Sequence, residues 1–355
     1  MNRKGVCYDV GVEMGMNWRP HFDQSSVRRE LEIIKEDLHC NSVSMTSQDV
    51  GRLQIAAREA LQLGLEVWFS PTYWDRTPEE TLRYIAKAAK TAEALRLTGD
   101  GEIVFKVGGE LTLFMRGILE GKTFRDRLRN PNMAAKVKAG DHNAPLNKFL
   151  AKADDSVRSV FHGKVTYASL VWEKVDWDHF DFVGVDHYRT SKMQDTYLKM
   201  LEPEFEHGKP VVITEFGFAT THGGIGDKGL LLSTAGLEEG IINVVSQFLH
   251  YRLPLFGRFI RPRLNGAHVR DEEWQAKMLV ETLRILDQAG VDGAFVSQFE
   301  SQINPYSDDP RYDLDMASSS LVKYFEGGKK GTTYPDMPWE PKESFRALAR
   351  YYGEG

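Results

Sequence analysis

Cysteine is scarce in this chain of 355 residues, which contains only Cys7 and Cys40. Two cysteines cannot form the dense disulfide framework of a small secreted domain. Long apolar runs are also missing, since no stretch approaches the roughly 18 consecutive apolar residues of a membrane helix. The opening Met-Asn-Arg-Lys leads into a strand-like segment without a long apolar stretch. We therefore expect a cytoplasmic protein that does not associate with a membrane.

The chain has no excess of positive charge. Its 45 lysines and arginines stand against 51 aspartates and glutamates, for a net charge of −6. A general nucleic-acid-binding protein needs the opposite balance to displace counterions. Strings typical of zinc enzymes, thiol redox proteins and serine hydrolases, such as His-Glu-x-x-His, Cys-x-x-Cys and Gly-x-Ser-x-Gly, are absent as well. We predict no nucleic-acid partner, no metal and no cofactor, and the sequence leaves the oligomeric state open.

Strand-like runs alternate with helix-like stretches from one end of the chain to the other, which is typical of parallel βα units. Eight such runs are present, and a single barrel domain of this length is common. The sequence therefore predicts an α/β fold, a (β/α)8 TIM barrel. The predicted strands cover residues 5–10, 41–45, 66–70, 103–107, 164–169, 182–186, 211–214 and 293–297.

The length beyond a minimal barrel falls in the segments after the fourth, seventh and eighth predicted strands. All three segments would lie on the carboxyl-terminal face, where barrel enzymes build their sites. The segment at about 219–270 contains an amphipathic stretch at 237–249 and is predicted to form a lid-like insertion. We treat residues 1–355 as one domain carrying this insertion.

Two glutamates stand at the ends of predicted strands. Glu110 closes the run Ile-Val-Phe-Lys-Val-Gly-Gly-Glu, and Glu215 follows Val-Val-Ile-Thr and precedes Phe-Gly. They are 105 residues apart, which is three units of 35 residues, close to the roughly 31 residues per unit of a typical barrel. This spacing fits the fourth and seventh strands. Two carboxyl groups raised there suggest an acid and a base, or an acid and a nucleophile.

These motifs resemble those of the clan-A retaining glycoside hydrolases with a (β/α)8 barrel. Val-Gly-Gly-Glu at 107–110 is similar to the acid/base motif, Ile-Thr-Glu-Phe-Gly at 213–217 to the nucleophile motif, and Val-Gly-Val-Asp-His-Tyr at 183–188 to the strand-six motif. The chain looks closest to the β-mannanase-like branch and to actinomycete barrel proteins that carry an abortive-infection label. The resemblance implies a retaining β-glycoside hydrolase or transglycosidase acting on a small-molecule or oligosaccharide substrate.

Under that resemblance, Glu215 is the nucleophile, Glu110 the general acid/base, and Tyr188 donates a hydrogen bond to Glu215. A retaining pair of carboxyl groups must lie about 5 to 5.5 Å apart, and an inverting pair about 6.5 to 9.5 Å apart. We expect the shorter distance. Burial and the neighbouring Glu215 charge should raise the pKa of Glu110. A structural ion pair or turn cap remains the alternative for each glutamate.

Further side chains near predicted strand ends are candidates for substrate binding. Tryptophans after the first, third and fifth strands could stack on sugar rings, although packing on the barrel rim explains them equally well. His187 can contact substrate or fill a structural role. Glu13 and Glu300 could bind substrate hydroxyls or pair with arginines. The candidates are Glu13, Trp18, Arg19, Trp74, Trp172, His187, Gln298 and Glu300.

The chain also departs from the clan pattern. Gly109 stands where most members have an asparagine that binds a sugar hydroxyl, and Gln298 and Phe299 replace a tryptophan after the eighth strand. The clan's arginine after the second strand is not evident, because Met, Thr, Ser and Gln occupy positions 45–48. Arg19 could supply the missing cation. These departures favour an alternative, a glycosidase-derived barrel that binds sugar or carries out a lyase, isomerase or cyclase step in small-molecule biosynthesis. A third hypothesis is a defence-associated interaction protein built on the same scaffold.

Overall fold

The computed structural model describes residues 1–99, 101–190, 193–221, 250 and 260–354. Eight parallel strands close into a barrel. They are β1 Arg3–Asp9, β4 Ser42–Ser47, β5 Glu66–Pro71, β6 Ile103–Gly109, β7 Lys164–Leu170, β8 Val183–Asp186, β9 Val211–Phe216 and β10 Gly293–Val296. Their order around the barrel is β1-β10-β9-β8-β7-β6-β5-β4. The predicted (β/α)8 fold is confirmed, and each predicted strand lies within two residues of an observed one. A small hairpin, β2 Val12–Glu13 and β3 Met16–Asn17, follows β1.

Helices surround the barrel and bury one apolar face each against it. The longer helices are α1 Gln24–Glu36, α2 Val50–Gln62, α3 Pro78–Arg96, α7 Asn143–Arg158, α9 Glu272–Gln288 and α10 Glu343–Gly353. Local sequence sets the first three starts: Asp23 and Asp49 cap α1 and α2, and Thr77 and Glu80 form a capping box at the start of α3. Between β7 and β8 a single 3₁₀ turn, Trp177–His179, takes the place of a helix.

The connection after β6 contains three short helices, α4 Leu111–Phe114, α5 Phe124–Arg129 and α6 Met133–Ala139. Arg127 is fully buried beneath it. Its guanidinium donates to the carbonyls of Leu113 and Gly121 and to Asp75 at 2.5 Å. Because buried charges must be paired, this arginine ties the β5 and β6 connections together.

The remaining short elements lie near the carboxyl-terminal part of the chain and after β8. They are α8 Glu202–Phe205, the 3₁₀ helix Leu314–Ala317, and the antiparallel pair β11 Val322–Tyr324 and β12 Trp339–Pro341. Most of the predicted lid, including the amphipathic stretch at 237–249, lies outside the described residues. No helix within the described ranges is long and apolar enough to cross a membrane.

The barrel interior changes character along its axis. Toward the amino-terminal ends of the strands, an apolar cluster separate from the main core fills it, with the Trp68 ring 4.9 Å from Phe295 and 5.2 Å from Phe182. Side chains alternate along a strand, so residues two positions further on also face inward. They are Gly184 of β8, Thr214 of β9 and Ser297, which directly follows β10. These small residues pack closely above the apolar cluster, and a Cβ at Gly184 would lie 2.3 Å from the Tyr167 carbonyl oxygen.

Candidate active site

Glu110 stands where β6 turns into α4, with its backbone in the left-handed region at φ 49°. Its amide donates to the Ala168 carbonyl at 2.9 Å, and its own carbonyl accepts from Leu113 and Phe114. The side chain is 6% exposed, and Oε2 has no hydrogen-bond partner among the described residues. Non-glycine residues rarely take this conformation, and strained residues concentrate at functional sites. The geometry presents a buried, partly unsatisfied carboxyl group at a strand end.

Glu215 lies in β9, its charge acts on Glu110, and its carboxyl group accepts two hydrogen bonds. The Tyr188 hydroxyl donates to Oε1, and the Ser297 hydroxyl donates to the same oxygen at 3.2 Å. The predicted pairing of Tyr188 with Glu215 is therefore present. Ser297 was not predicted, because it follows a different strand and nothing in its local sequence marks it.

Asp186 is a third acid at this face. It ends β8, directly beside Glu215 in the strand pairing, and accepts from the Thr214 hydroxyl at 2.6 Å. The side chain is 6% exposed. Strand alternation places Asp186 and Tyr188 on the inner side and His187 on the outer side. That period of two was the signal that could have identified Asp186 from the sequence.

Lys106 is a cation that the sequence analysis missed. It lies within β6, is 4% exposed, and donates to the Ser44 hydroxyl at 3.4 Å. Its positive charge lowers the pKa of Glu13, Glu110 and Asp186. A lysine within a run of buried strand residues was the available signal, because an inward-facing charge there requires partners.

Burial controls the protonation of these acids. It raises the pKa of Glu110 well above its usual range, and the charges of Asp186 and Glu215 raise it further. Burial and the Glu215 charge raise the pKa of Asp186 to about 7. Burial and the Asp9 charge raise the pKa of Glu13 to about 8. The expected rise at Glu110 is present, and Asp186 contributes to it as well as Glu215.

The hairpin after β1 brings Glu13 and Trp18 toward the site. Glu13 accepts from the Thr72 hydroxyl at 3.2 Å, and the charge of Glu215 contributes to raising its pKa. The Trp18 indole donates to Asp9 at 2.7 Å and is 8% exposed. Glu13 thus shares the electrostatic environment of Glu215, whereas most of the Trp18 surface is used in packing.

Arg19 and Glu300 belong to a neighbouring ion-pair network. Arg19 donates to Glu30 at 2.5 Å and to the Asp9 carbonyl at 3.3 Å, and it lies 3.8 Å from Glu300. Burial raises the pKa of Glu300 to about 8, and its Oε1 has no partner among the described residues. The main ion-pair partner of Arg19 is therefore Glu30. The half-buried Gln298 contributes its carbonyl to the Leu321 amide at 2.9 Å.

Trp74 and Trp172 pack within the connection after β6. The Trp74 ring stacks on Phe114 at 3.8 Å and meets the edge of Phe124 at 5.3 Å. Trp172 belongs to the same apolar cluster and contacts the His142 ring edge-on at 5.0 Å. Both rings are half-buried in this cluster, which is the rim-packing arrangement left open by the sequence.

His187 has a structural environment. Its ring stacks on Tyr197 at 4.0 Å, and Nε2 hydrogen-bonds the Tyr197 carbonyl at 2.9 Å. It is fully buried, and burial lowers its pKa to about 4. The described residues contain no group of three or more histidine, cysteine or acidic side chains arranged to hold a metal ion.

No family model and no curated protein matches the sequence. Solved structures do match. A GH113 β-1,4-mannanase is 14% identical to this chain with a TM-score of 0.61, and the match covers 100% of this chain and 99% of the mannanase. The GH113 β-mannanase from Alicyclobacillus acidocaldarius, solved in complex with ManMIm, is 14% identical with a TM-score of 0.56, covering 99% and 97%.

A β-glucuronidase from Ruminococcus gnavus is also similar, at 12% identity and a TM-score of 0.55, and the match covers 99% of this chain but 49% of the glucuronidase. Identities this low show a shared fold and nothing finer. The chain thus has the (β/α)8 barrel fold of these GH113 β-mannanases, as the sequence predicted.

Proposed function

We propose that the protein is a retaining β-glycoside hydrolase or transglycosidase in which Glu215 is the nucleophile and Glu110 the general acid/base. The observation that carries the proposal is the contrast between the two carboxyl groups. Glu110 is buried with one unpartnered oxygen and a strongly raised pKa, whereas Glu215 receives hydrogen bonds from Tyr188 and Ser297. Two acids whose environments differ in this way suit an acid and a nucleophile.

The first step would form a bond between Glu215 and the anomeric carbon of the substrate. As the glycosidic bond breaks, Glu110 gives its proton to the leaving oxygen, so the leaving alcohol departs neutral and Glu110 becomes a carboxylate. In the second step Glu110 takes a proton from water, or from an acceptor alcohol in transglycosylation. The oxygen attacks the anomeric carbon and releases Glu215. Two inversions give net retention.

The surrounding groups support this sequence. Tyr188 and Ser297 both bond to Oε1 of Glu215 and so orient the carboxyl group, leaving Oε2 for the attack. Lys106 offsets part of the negative charge that accumulates when Glu110 loses its proton. Similarity in fold to β-mannanases and a β-glucuronidase agrees with glycoside chemistry and makes a mannoside a reasonable first substrate to test.

The test compares the wild type with Glu215→Gln and Glu110→Gln on 4-nitrophenyl β-mannoside, β-glucoside, β-galactoside and β-glucuronide and on β-1,4-mannooligosaccharides. We expect Glu215→Gln to lower kcat/KM by about 10³-fold or more, because it removes the nucleophile. Glu110→Gln should release a burst of nitrophenolate, because the aryl group leaves without acid assistance but the glycosyl-enzyme is then hydrolysed slowly. NMR of the first product should show the retained β-anomer.

Glu273→Gln is the matched control, since Glu273 lies exposed on α9. It should keep wild-type turnover. If the wild type turns over none of these glycosides, or if Glu215→Gln is as active as the wild type, the hydrolase proposal is wrong, and the non-hydrolytic alternative for a barrel with Gly109 gains weight.

A further inference from the structure

The space beside Glu110 is left open by a glycine that the backbone does not require. Gly109 has no positive φ, in contrast to Gly108 at 155°. A Cβ added at position 109 would lie 3.4 Å from the Ala168 Cβ and 3.8 Å from Asp186 Oδ2, both ordinary contact distances. An alanine would therefore fit there without steric clash. The glycine, together with the small Ala168, leaves a gap bordered by Asp186.

Asp186 presents an unused acceptor to that gap. Oδ1 accepts from Thr214, while Oδ2 accepts no hydrogen bond from the described part of the chain. The residue is 6% exposed, but Oδ2 itself is not fully buried, so it is open to a ligand donor. The neighbouring Glu110 Oε2 is buried without a described partner, which is costly unless a ligand satisfies it. Two carboxyl oxygens without a described partner therefore lie at the ends of β6 and β8.

The chemistry of these oxygens determines which ligand groups can bind. A carboxylate oxygen accepts hydrogen bonds and donates none unless it is protonated. Glu110 in its protonated form can donate, but to Asp186 in its carboxylate form a ligand in the gap must offer an O–H or N–H donor, as a polyhydroxylated ring does. The strand pairing of Asp186 with Glu215 brings the gap next to the carboxyl group that would attack the anomeric carbon.

We propose that Asp186 is a substrate-binding residue: Oδ2 accepts a hydrogen bond from a hydroxyl or ammonium group of the ring held between Glu110 and Glu215, and that part of the ring occupies the gap at Gly109. The identity of the ring as a glycoside rests on the proposed function. The role of Asp186 as a ligand acceptor rests on its own geometry.

Two substitutions test this proposal, one at the acceptor and one at the gap. Asp186→Asn keeps the shape and replaces the charged acceptor, and Gly109→Ala keeps the acceptor and fills the gap. Each should weaken binding of the iminosugar 1-deoxymannojirimycin, measured by calorimetry, by about tenfold or more. Each should raise KM for the best 4-nitrophenyl glycoside to a similar extent. The melting temperature of each variant verifies that it is folded, and Asp155→Asn, on the exposed surface of α7, should bind like the wild type.

The outcomes separate this proposal from the proposed function. Binding within twofold of the wild type in both folded variants overturns the role of Asp186, even if Glu215→Gln abolishes turnover. Weaker iminosugar binding in both variants supports the role, even if no glycoside is hydrolysed. A wild type that neither binds the iminosugar nor turns over any glycoside overturns it as well.

Discussion

Glu110 illustrates a conflict between stability and function within one residue. Its backbone is left-handed, which costs a residue with a Cβ roughly 1–2 kcal/mol. Its carboxyl group is buried with one oxygen unsatisfied among the described residues. Packing elsewhere must offset both costs. A position that is unfavourable in two independent ways is more easily understood as a site of chemistry than as part of the scaffold.

We predict that Glu110→Gly stabilises the protein while it removes catalysis. Glycine adopts the left-handed conformation without penalty, and the substitution also removes the buried carboxyl group. The free energy of unfolding at pH 7 should rise by about 1 kcal/mol, and turnover of any active glycoside should be lost. Urea denaturation and the aryl-glycoside assay measure the two effects.

Gly109→Ala provides the comparison for that experiment, because it changes the adjacent residue without relieving strain. It should leave stability near the wild-type value. A Glu110→Gly variant clearly less stable than the wild type would show that the Glu110 side chain contributes to the scaffold, against its assignment as the acid/base.

At the scale of elements, the inner faces of the strands form a polar layer under the site. Lys106 of β6 contacts Ser44 of β4, and Thr214 of β9 contacts Asp186 of β8. A Cβ at Gly184 would lie 3.1 Å from Thr214 Cγ2 and 3.2 Å from the Thr166 hydroxyl, so these small residues are closely packed. Within this layer the Lys106 ammonium lowers the pKa of acids from different strands, Glu13, Glu110 and Asp186.

We predict that Lys106→Met destabilises the protein in a pH-dependent way. The ammonium favours the ionised forms of Glu13 and Asp186, so its loss raises the pKa of both further. Below pH 6 these acids are protonated in the folded state with or without the lysine, and methionine fills the space well. Between pH 6 and 9 the variant should lose progressively more stability relative to the wild type, as measured by urea midpoints at pH 5.5 and 8.5.

Ser44→Ala is the control, because it removes the hydrogen-bond partner of Lys106 and keeps the charge. Its effect should be similar at the two pH values. An equal loss for Lys106→Met at pH 5.5 and 8.5 would mean that the lysine acts through packing and not through its charge.

At the scale of the whole molecule, buried acids at the carboxyl-terminal face should determine how stability depends on pH. The pKa of Asp186 is about 7, and those of Glu13 and Glu300 are about 8, against values near 4 in an unfolded chain. The folded state thus binds more protons than the unfolded state between pH 4 and 8. The stability that each acid contributes is fully present below its pKa in the unfolded chain, and it is lost as the pH rises through its pKa in the folded state.

We therefore predict that the free energy of unfolding falls from pH 5 to pH 8. Surface acids of lowered pKa, such as Asp23 and Glu93 at about 2, act mainly below this range. Urea denaturation across the range measures the slope, and Glu300→Gln should make it shallower because one proton-binding group is removed. A stability that is constant or rises between pH 5 and 8 would contradict the burial of these acids.

Much of the barrel could be predicted from the sequence because its signals are local. Apolar runs mark the strands, and the capping residues before α1, α2 and α3 mark helix starts. The regular unit length assigned Glu110 and Glu215 to the fourth and seventh strands. The helices after β6 were not predicted, because their polar sequence is organised by the buried Arg127, whose partners are Leu113, Gly121 and Asp75.

The sequence by itself determined the alternation of strands and helices and the two glutamates at strand ends, and the family resemblance predicted the pairing of Tyr188 with Glu215. Only the tertiary structure decided which side chains meet inside the closed barrel: Lys106 near the acids, Ser297 on Glu215, and Asp186 beside the gap at Gly109. The physical reason is that periodicity fixes the direction of a side chain along its own strand, whereas its partners come from other strands. Those partners are set by barrel closure and by the register shifts in β6, β9 and β10.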